Sequence, residues 1–339
     1  MSQSLAVKYR PNKFEDVCSQ SSIIKILEKQ IEKNNFTNTY LFSGPSGCGK
    51  TTLARIFANK INNFKGSPIE IDGASNNGVD NIRNIINEAN QRSVDSEYKI
   101  FIIDECHMLS SAAWNAFLKC IEEPPKYTIF MFCTTNPEKI PVTIQNRLMR
   151  FNLTKVDINL IKERLEYICN QEHFINYNEA CDFISKLSNG GVRDAISLLE
   201  KCAEYNIDLR INNVLDCLGD FSYDSFFNLT GALLNQDEAE VIRCLDNYYN
   251  SGKDLKLFIE QYLNFILDLT KYCLFKSMDS IKIPLSLKNR CEGYCQIPNI
   301  LTYSNNLLEK LLDIKNTIKY DVNNKTTIQI MFISICREL

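Results

Sequence analysis

The run Gly44-Pro45-Ser46-Gly47-Cys48-Gly49-Lys50-Thr51 follows the pattern G-x4-G-K-[ST], and each residue type in it suits the holding of a polyphosphate. Glycines let successive backbone N–H groups curl around phosphate oxygens, and a helix opening near Lys50 adds positive partial charge at its N-terminus. Lys50 can then reach the β and γ phosphates, and the Thr51 hydroxyl can ligate Mg2+. Further along, Lys99-Ile100-Phe101-Ile102-Ile103-Asp104-Glu105 reads as an apolar strand ending in two carboxylates, at the sheet edge where doubly wound folds place their ligands. There Asp104 would hold the metal, partly through its waters, and Glu105 would polarise an attacking water. Either feature alone has an ordinary reading, a Gly-rich turn or a solvated Asp-Glu pair. Together and in this order they point to a P-loop ATPase using ATP and Mg2+. His107, one of two histidines, reads as a hydrogen-bonding neighbour and not as the base.

Such a site needs strands that deliver the loop and the carboxylates to one edge. Short apolar runs at 40–43, 69–71, 99–103, 128–134 and 148–153 alternate with helical segments, which predicts an α/β domain with a parallel five-stranded sheet over residues 1–154. Ser110-Ser111 can cap a helix carrying Ala113, Phe117, Cys120 and Ile121 on one side, with Pro124-Pro125 ending it. Beyond it the strand signal fades. Helices at 160–169 and 178–187 and the Gly190-Gly191 break predict a small helical lid over 155–215. Leu255, Phe258, Ile259, Tyr262, Ile266 and Leu269, and then Leu307, Leu308, Leu311, Leu312 and Ile314, recur at near-helical spacing, so 216–339 reads as an all-helical domain.

A net charge of −3 and a pI near 5.7 argue against a stand-alone nucleic-acid binder. Any DNA contact must be local or pooled over several subunits. No signal-peptide core opens the chain, and no apolar run approaches the roughly 18 residues of a membrane helix; a cytoplasmic protein without membrane contact is expected. The 14 cysteines are scattered through apolar runs, which suits reduced thiols used as small hydrophobes. The only tight pair, Cys291 and Cys295, lacks the further ligands of a zinc site, so no zinc is expected.

Several segments resemble the AAA+ sliding-clamp loader ATPases, in particular the bacterial DNA polymerase III gamma/tau subunits and the replication factor C small subunits. They are Lys8-Tyr9-Arg10-Pro11 with Phe14 and Val17, Asp104-Glu105-Cys106-His107, Leu118 with Ile121-Glu122-Glu123-Pro124-Pro125, Cys133-Thr134-Thr135-Asn136-Pro137, Ile140 through Arg147, and Gly190-Gly191-Val192-Arg193-Asp194-Ala195. The likeness is dense over 5–200 and weak beyond 215. It implies nucleotide contacts from Tyr9, Arg10, Pro11, Thr52 and the phosphate loop. It also implies a sensor at Asn136, a second sensor at Arg193 from the lid, and an arginine finger at Arg147 acting in trans on the neighbouring subunit. Partners implied are other clamp-loader subunits in a pentamer, a ring-shaped sliding clamp and primer–template DNA at the replication fork, with the last domain as an oligomerisation collar.

This sequence departs from the family in three places. The family's Ser-Arg-Cys is Asn146-Arg147-Leu148. The four-cysteine zinc module that follows the phosphate-loop helix in gamma/tau subunits is missing, because no cysteine lies between Cys48 and Cys106. The sequence ends about where the collar would, so the extension of the long tau form is expected to be lacking. Clamp loaders grip template phosphates with helix N-termini, which suits an acidic pI; candidate helix starts are Gly73-Ala74-Ser75-Asn76-Asn77 and Ser110-Ser111, with Arg83 and Arg92 as basic contributors. Two rivals are a DNA-translocating AAA+ motor of the Holliday-junction helicase kind and a clamp-loader subunit that binds nucleotide without hydrolysing it.

Overall fold

The computed structural model describes residues 3–218, 223–250, 254–279, 281–318 and 324–338. The chain divides into two compact units, one of Met1–Ile168 with Ser188–Glu200 and one of Cys169–Leu187 with Lys201–Leu339.

In the first unit the elements run α1 Leu5–Lys8, α2 Ser21–Glu32, β1 Thr39–Ser43, α3 Lys50–Ile61, β2 Ile69–Asp72, α4 Val79–Ala89, β3 Lys99–Asp104, α5 Ser111–Glu122, β4 Thr128–Thr134, α6 Val142–Gln145 and β5 Met149–Asn152. The strands form one parallel sheet in the order β2-β3-β4-β1-β5. Helices cover both faces, so the central strands β1 and β4 are buried at every position, as their continuous apolar runs require. Side chains alternate between the faces. Tyr40, Phe42, Ile100, Ile102, Ile129 and Met131 pack with Leu53, Phe57 and Ile61 of α3. Leu41, Phe101, Ile103, Phe130 and Phe132 pack with Ile82 of α4 and Trp114 and Phe117 of α5. The register sets Ser43 beside Thr134 and Ile103 beside Phe132, bringing the C-terminal ends of β1, β3 and β4 to one edge. α3 ends at Ile61, and β2 begins at Ile69 with no intervening module.

Next come α7 Ile158–Gln171, α8 Asn178–Leu187 and α9 Val192–Tyr205. The Gly190-Gly191 break falls between α8 and α9, where Gly190 has φ +91°.

The second unit carries α10 Ile211–Leu218, α11 Tyr223–Leu234, α12 Glu238–Asn250, α13 Leu255–Phe275, α14 Lys288–Cys295, α15 Ile300–Thr317 and α16 Asn324–Glu338. Phe226, Phe258, Tyr262, Ile266, Leu307, Leu311 and Phe332 share its core. On α15 the buried stripe is Leu307, Leu311 and Ile314, an i, i+4, i+7 face. Leu312 lies about 100° round the helix from Leu311 and is exposed.

Candidate active site

The phosphate loop links β1 to α3 and is built on backbone conformations that favour glycine. Gly47 and Gly49 have φ +70° and +101°, in the left-handed region. A Cβ on Gly47 would stand 2.9 Å from Gly191 Cα, and Val192 N donates to Gly47 O at 3.1 Å. The loop is thus fitted against the start of α9. Lys50 is buried at 6% exposure, and its Nζ donates to Gly44 O at 3.0 Å and Pro45 O at 2.9 Å. Thr51 Oγ1 donates to Asp104 Oδ2 at 2.7 Å, joining α3 to the end of β3.

Beside Asp104, Glu105 takes a left-handed conformation, φ 44°, which a non-glycine residue adopts at some cost. Its Oε2 accepts from Thr135 Oγ1 at 3.2 Å and lies 3.2 Å from His107 Nδ1. His107 Nδ1 is also 3.1 Å from Thr134 Oγ1. One hydroxyl just after β4 and one imidazole, itself in contact with Thr134, therefore hold the Glu105 carboxylate. Asn136, the expected sensor, offers its backbone N–H to Thr134 Oγ1 at 3.0 Å; the side chain placed on Glu105 is that of its neighbour Thr135.

These groups border a cavity of about 450 Å3 lined by Tyr9, Arg10, Pro11, Ser46 through Thr52, Asp104, Glu105 and Arg193, within the size range of small-ligand sites. Gly44 and Pro45 lie outside the lining and hold Lys50 through their carbonyls. Arg55, Arg164 and Arg193 add positive charge to the wall. Burial, reinforced by Arg55, pulls the Arg10 guanidinium below its ordinary pKa, as expected where cations are gathered before an anion arrives. Arg10 Nε donates to Thr52 Oγ1 at 3.3 Å. Arg55 pairs with Glu70 through Nη2 and Oε2 at 2.6 Å. Burial pushes the thiol of Cys48 up, so it stays a neutral filler under the loop.

Reasoning from sequence alone misses Thr135, Arg55, Arg164 and Glu200. Glu200 Oε1 accepts from Leu5 N at 2.8 Å, and Arg164 Nη2 donates to Tyr9 O at 2.7 Å, so both anchor the N-terminal segment that borders the cavity. A signal was available for Glu200: Arg193, Ile196, Ser197 and Glu200 all line the cavity and share one face of α9 by their i, i+3, i+4, i+7 spacing.

Arg147 lies outside this cavity. Its Nη2 pairs with Glu122 Oε1 at 2.6 Å, and its Nη1 donates to Thr143 O. Ser110 caps α5, its Oγ accepting from Ala113 N at 3.2 Å, and Ser110 N donates to Asn77 O at 3.2 Å, which sets the starts of α4 and α5 side by side. Gly73–Asn77, expected as a helix start, is instead a turn closed on Asp72. That carboxylate accepts from Ala74 N at 3.0 Å and from Ser75 Oγ at 2.7 Å, and the helix begins only at Val79. Arg83 pairs with Asp80 at 3.1 Å, and Arg92 stacks 4.2 Å from the Tyr127 ring centroid.

Residues 67–157 match the family described as DNA polymerase III, delta subunit, and residues 2–111 match the Rad17 P-loop domain. DNA polymerase III subunit tau of Bacillus subtilis is 32% identical over 99% of this chain and 63% of its own length. The chain is an AAA+ homologue of the DNA polymerase III gamma/tau subunits. For this gamma/tau homologue the corresponding figures are 32%, 82% and 51% with the gamma/tau subunit of Mycoplasma genitalium, and 30%, 78% and 44% with the tau subunit of Escherichia coli. It therefore spans between 44% and 63% of the length of these relatives. Among solved structures, the Thermotoga maritima RuvB Holliday junction branch migration motor superposes with a TM-score of 0.53 at 20% identity, over 66% of this chain and 79% of that one. At that identity the likeness concerns the fold.

The AAA+ P-loop fold of the homologue implies nucleotide binding. Among the described residues, no group of three or more His, Cys, Asp or Glu could hold a metal ion, and no helix is long and apolar enough to cross a membrane.

Proposed function

We propose that this chain is an ATP-driven motor subunit of a clamp loader, whose ATP-bound assembly opens a ring-shaped sliding clamp and places it on primer–template DNA, hydrolysis then releasing both. The observation that carries this is the convergence of Lys50, Thr51, Asp104 and Glu105 on one cavity in a homologue of DNA polymerase III subunits.

The residues fit MgATP. Lys50 would exchange the carbonyls of Gly44 and Pro45 for phosphate oxygens, while the N–H groups of the loop and the start of α3 cradle the same anion. The Thr51 hydroxyl and the Asp104 carboxylate are the hard oxygen donors that suit Mg2+, which when bound neutralises phosphate charge. Glu105, oriented by Thr135 and His107, polarises the attacking water. Arg193 reaches the phosphates from α9, Tyr9, Arg10 and Pro11 border the rest of the nucleotide, and Asn136 adjoins Thr135 as a sensor.

Arg147, outside its own cavity, serves the neighbouring subunit, where a finger supplied in trans contributes about 10³–10⁵ in rate. Hydrolysis then depends on assembly with other clamp-loader subunits, as a pentamer with the helical second unit contributing to the collar. The adjacent starts of α4 and α5, with Arg83 nearby, present N–H groups to template phosphates.

The test is the steady-state ATPase of the purified protein with partner subunits, sliding clamp and primed DNA, for wild type and Arg147→Ala. Joint stimulation by clamp and DNA that disappears in the variant supports the proposal. Stimulation by DNA alone, indifferent to the clamp, indicates a translocating motor instead, and a rate unchanged by Glu105→Gln indicates a subunit that does not hydrolyse.

A further inference from the structure

We infer that Glu122 is the positioning residue that aims Arg147 at the neighbouring nucleotide, an inference that rests on the trans role proposed for Arg147. The backbone of Arg147 is already fixed: its N–H donates to Ile144 O at 2.9 Å, its carbonyl accepts from Thr39 Oγ1 at 3.1 Å, and Leu148 beside it is buried. Its side chain is not fixed by packing. It is 39% exposed, and the residues flanking it, Asn146 and Leu148, are larger than the small neighbours expected of the family.

Two contacts choose its direction, the Thr143 carbonyl on Nη1 and the Glu122 carboxylate on Nη2 at 2.6 Å. They occupy two of the five guanidinium N–H groups and leave the others for an anion.

Glu122 can direct the arginine because it is itself rigidly placed. It is the last residue of α5, a helix capped at Ser110 and pinned to the sheet by Ala113, Trp114, Phe117, Cys120 and Ile121. The same helix opens just beyond Glu105 and His107. One rigid element thus runs from the carboxylate of this subunit's own site to the arginine offered to the next. A half-exposed ion pair contributes little to folding stability, but it selects one orientation from many available to a long side chain. A displacement of about 1 Å in a catalytic group costs about 10²-fold in rate.

The experiment is kcat and KM of the reconstituted assembly with clamp and primed DNA, for Glu122→Ala, Glu122→Gln, Arg147→Ala and the double variant Glu122→Ala/Arg147→Ala, with melting temperatures measured alongside. Expected are a fall in kcat of about 10–100-fold for Glu122→Ala, a smaller fall for Glu122→Gln, unchanged KM and melting temperature, and a double variant no slower than Arg147→Ala alone. A wild-type or raised kcat in Glu122→Ala, or a loss that adds to that of Arg147→Ala, overturns the inference. Should Glu122→Ala prove unstable, Glu122→Gln decides by the same criteria. If Arg147→Ala itself keeps the wild-type kcat, the trans role fails and this inference with it. If Arg147→Ala is slow and Glu122→Ala is not, only the positioning role fails.

Discussion

The hydroxyl of Thr51 and the carboxylate of Asp104 share a 2.7 Å hydrogen bond across the gap between α3 and β3. Both oxygens suit Mg2+, so the pair should act as a unit. Thr51→Ala and Asp104→Asn should each lower ATP turnover by at least about 100-fold, a loss of the size typical for removing one electrostatic contact to a reacting group. Each should also abolish the difference in nucleotide affinity measured with Mg2+ and with EDTA. A fluorescent nucleotide titration reads this directly, and retention of full Mg2+ dependence in both variants would refute the assignment.

Gly47 has no room for a side chain. Its φ of +70° costs an L-residue about 1–2 kcal/mol, and an added Cβ would meet Gly191 Cα at 2.9 Å. Gly47→Ala should therefore lower the urea unfolding free energy by at least about 1 kcal/mol and weaken nucleotide binding by pushing the loop away from α9. Wild-type affinity in a stably folded variant would show that the contact with Gly191 is dispensable.

Glu105 is held by Thr135 and His107 rather than by Asn136. Glu105→Gln should bind MgATP normally and turn it over at least about 100-fold more slowly, as loss of a general base does. Thr135→Val, which keeps shape and removes the hydroxyl, should lower kcat more than Asn136→Ala does. The reverse ranking in single-turnover assays would make Asn136, and not Thr135, the more important of the two.

The cap on α5 is separable from the chemistry. Ser110→Ala removes the acceptor for Ala113 N and should cost about 1 kcal/mol. Trp114, the single tryptophan of the chain, is buried against Phe132 with ring centroids 5.4 Å apart, so its fluorescence reports the unfolding of this unit. An unshifted urea midpoint would mean that water replaces the serine at no cost.

Alkaline pH should loosen the second unit. Burial pushes the thiols of Cys273 and Cys291 up to about 12, and the Tyr294 phenol goes the same way, to about 12. A raised pKa in the folded state favours the protonated form, so for the thiols this stabilisation is complete below the unfolded value near about 8.5. It is lost as pH climbs from there toward about 12. The helical circular dichroism midpoint in urea, under reductant, should hold steady from about pH 7 to 8 and fall steadily above about pH 9. Cys291→Ala should flatten that fall; a midpoint level up to about pH 10.5 would contradict it.

The amino-acid sequence determined what short segments encode. The G-x4-G-K-[ST] loop, the apolar runs of β1, β3 and β4, the Ser110 cap and the helical spacing of α13 each depend on residues close together in the chain, whose side chains alternate or recur by backbone geometry alone. The tertiary structure decided everything that hangs on strand register and on helices meeting across the sheet. Only the pairing of β3 with β4 sets Thr135, and not Asn136, on Glu105. Only the return of α5 to the segment after α6 places Glu122 against Arg147. Those partners are far apart in sequence, and no local pattern of polarity announces them, because a half-exposed carboxylate looks the same in sequence whether it faces water or an arginine.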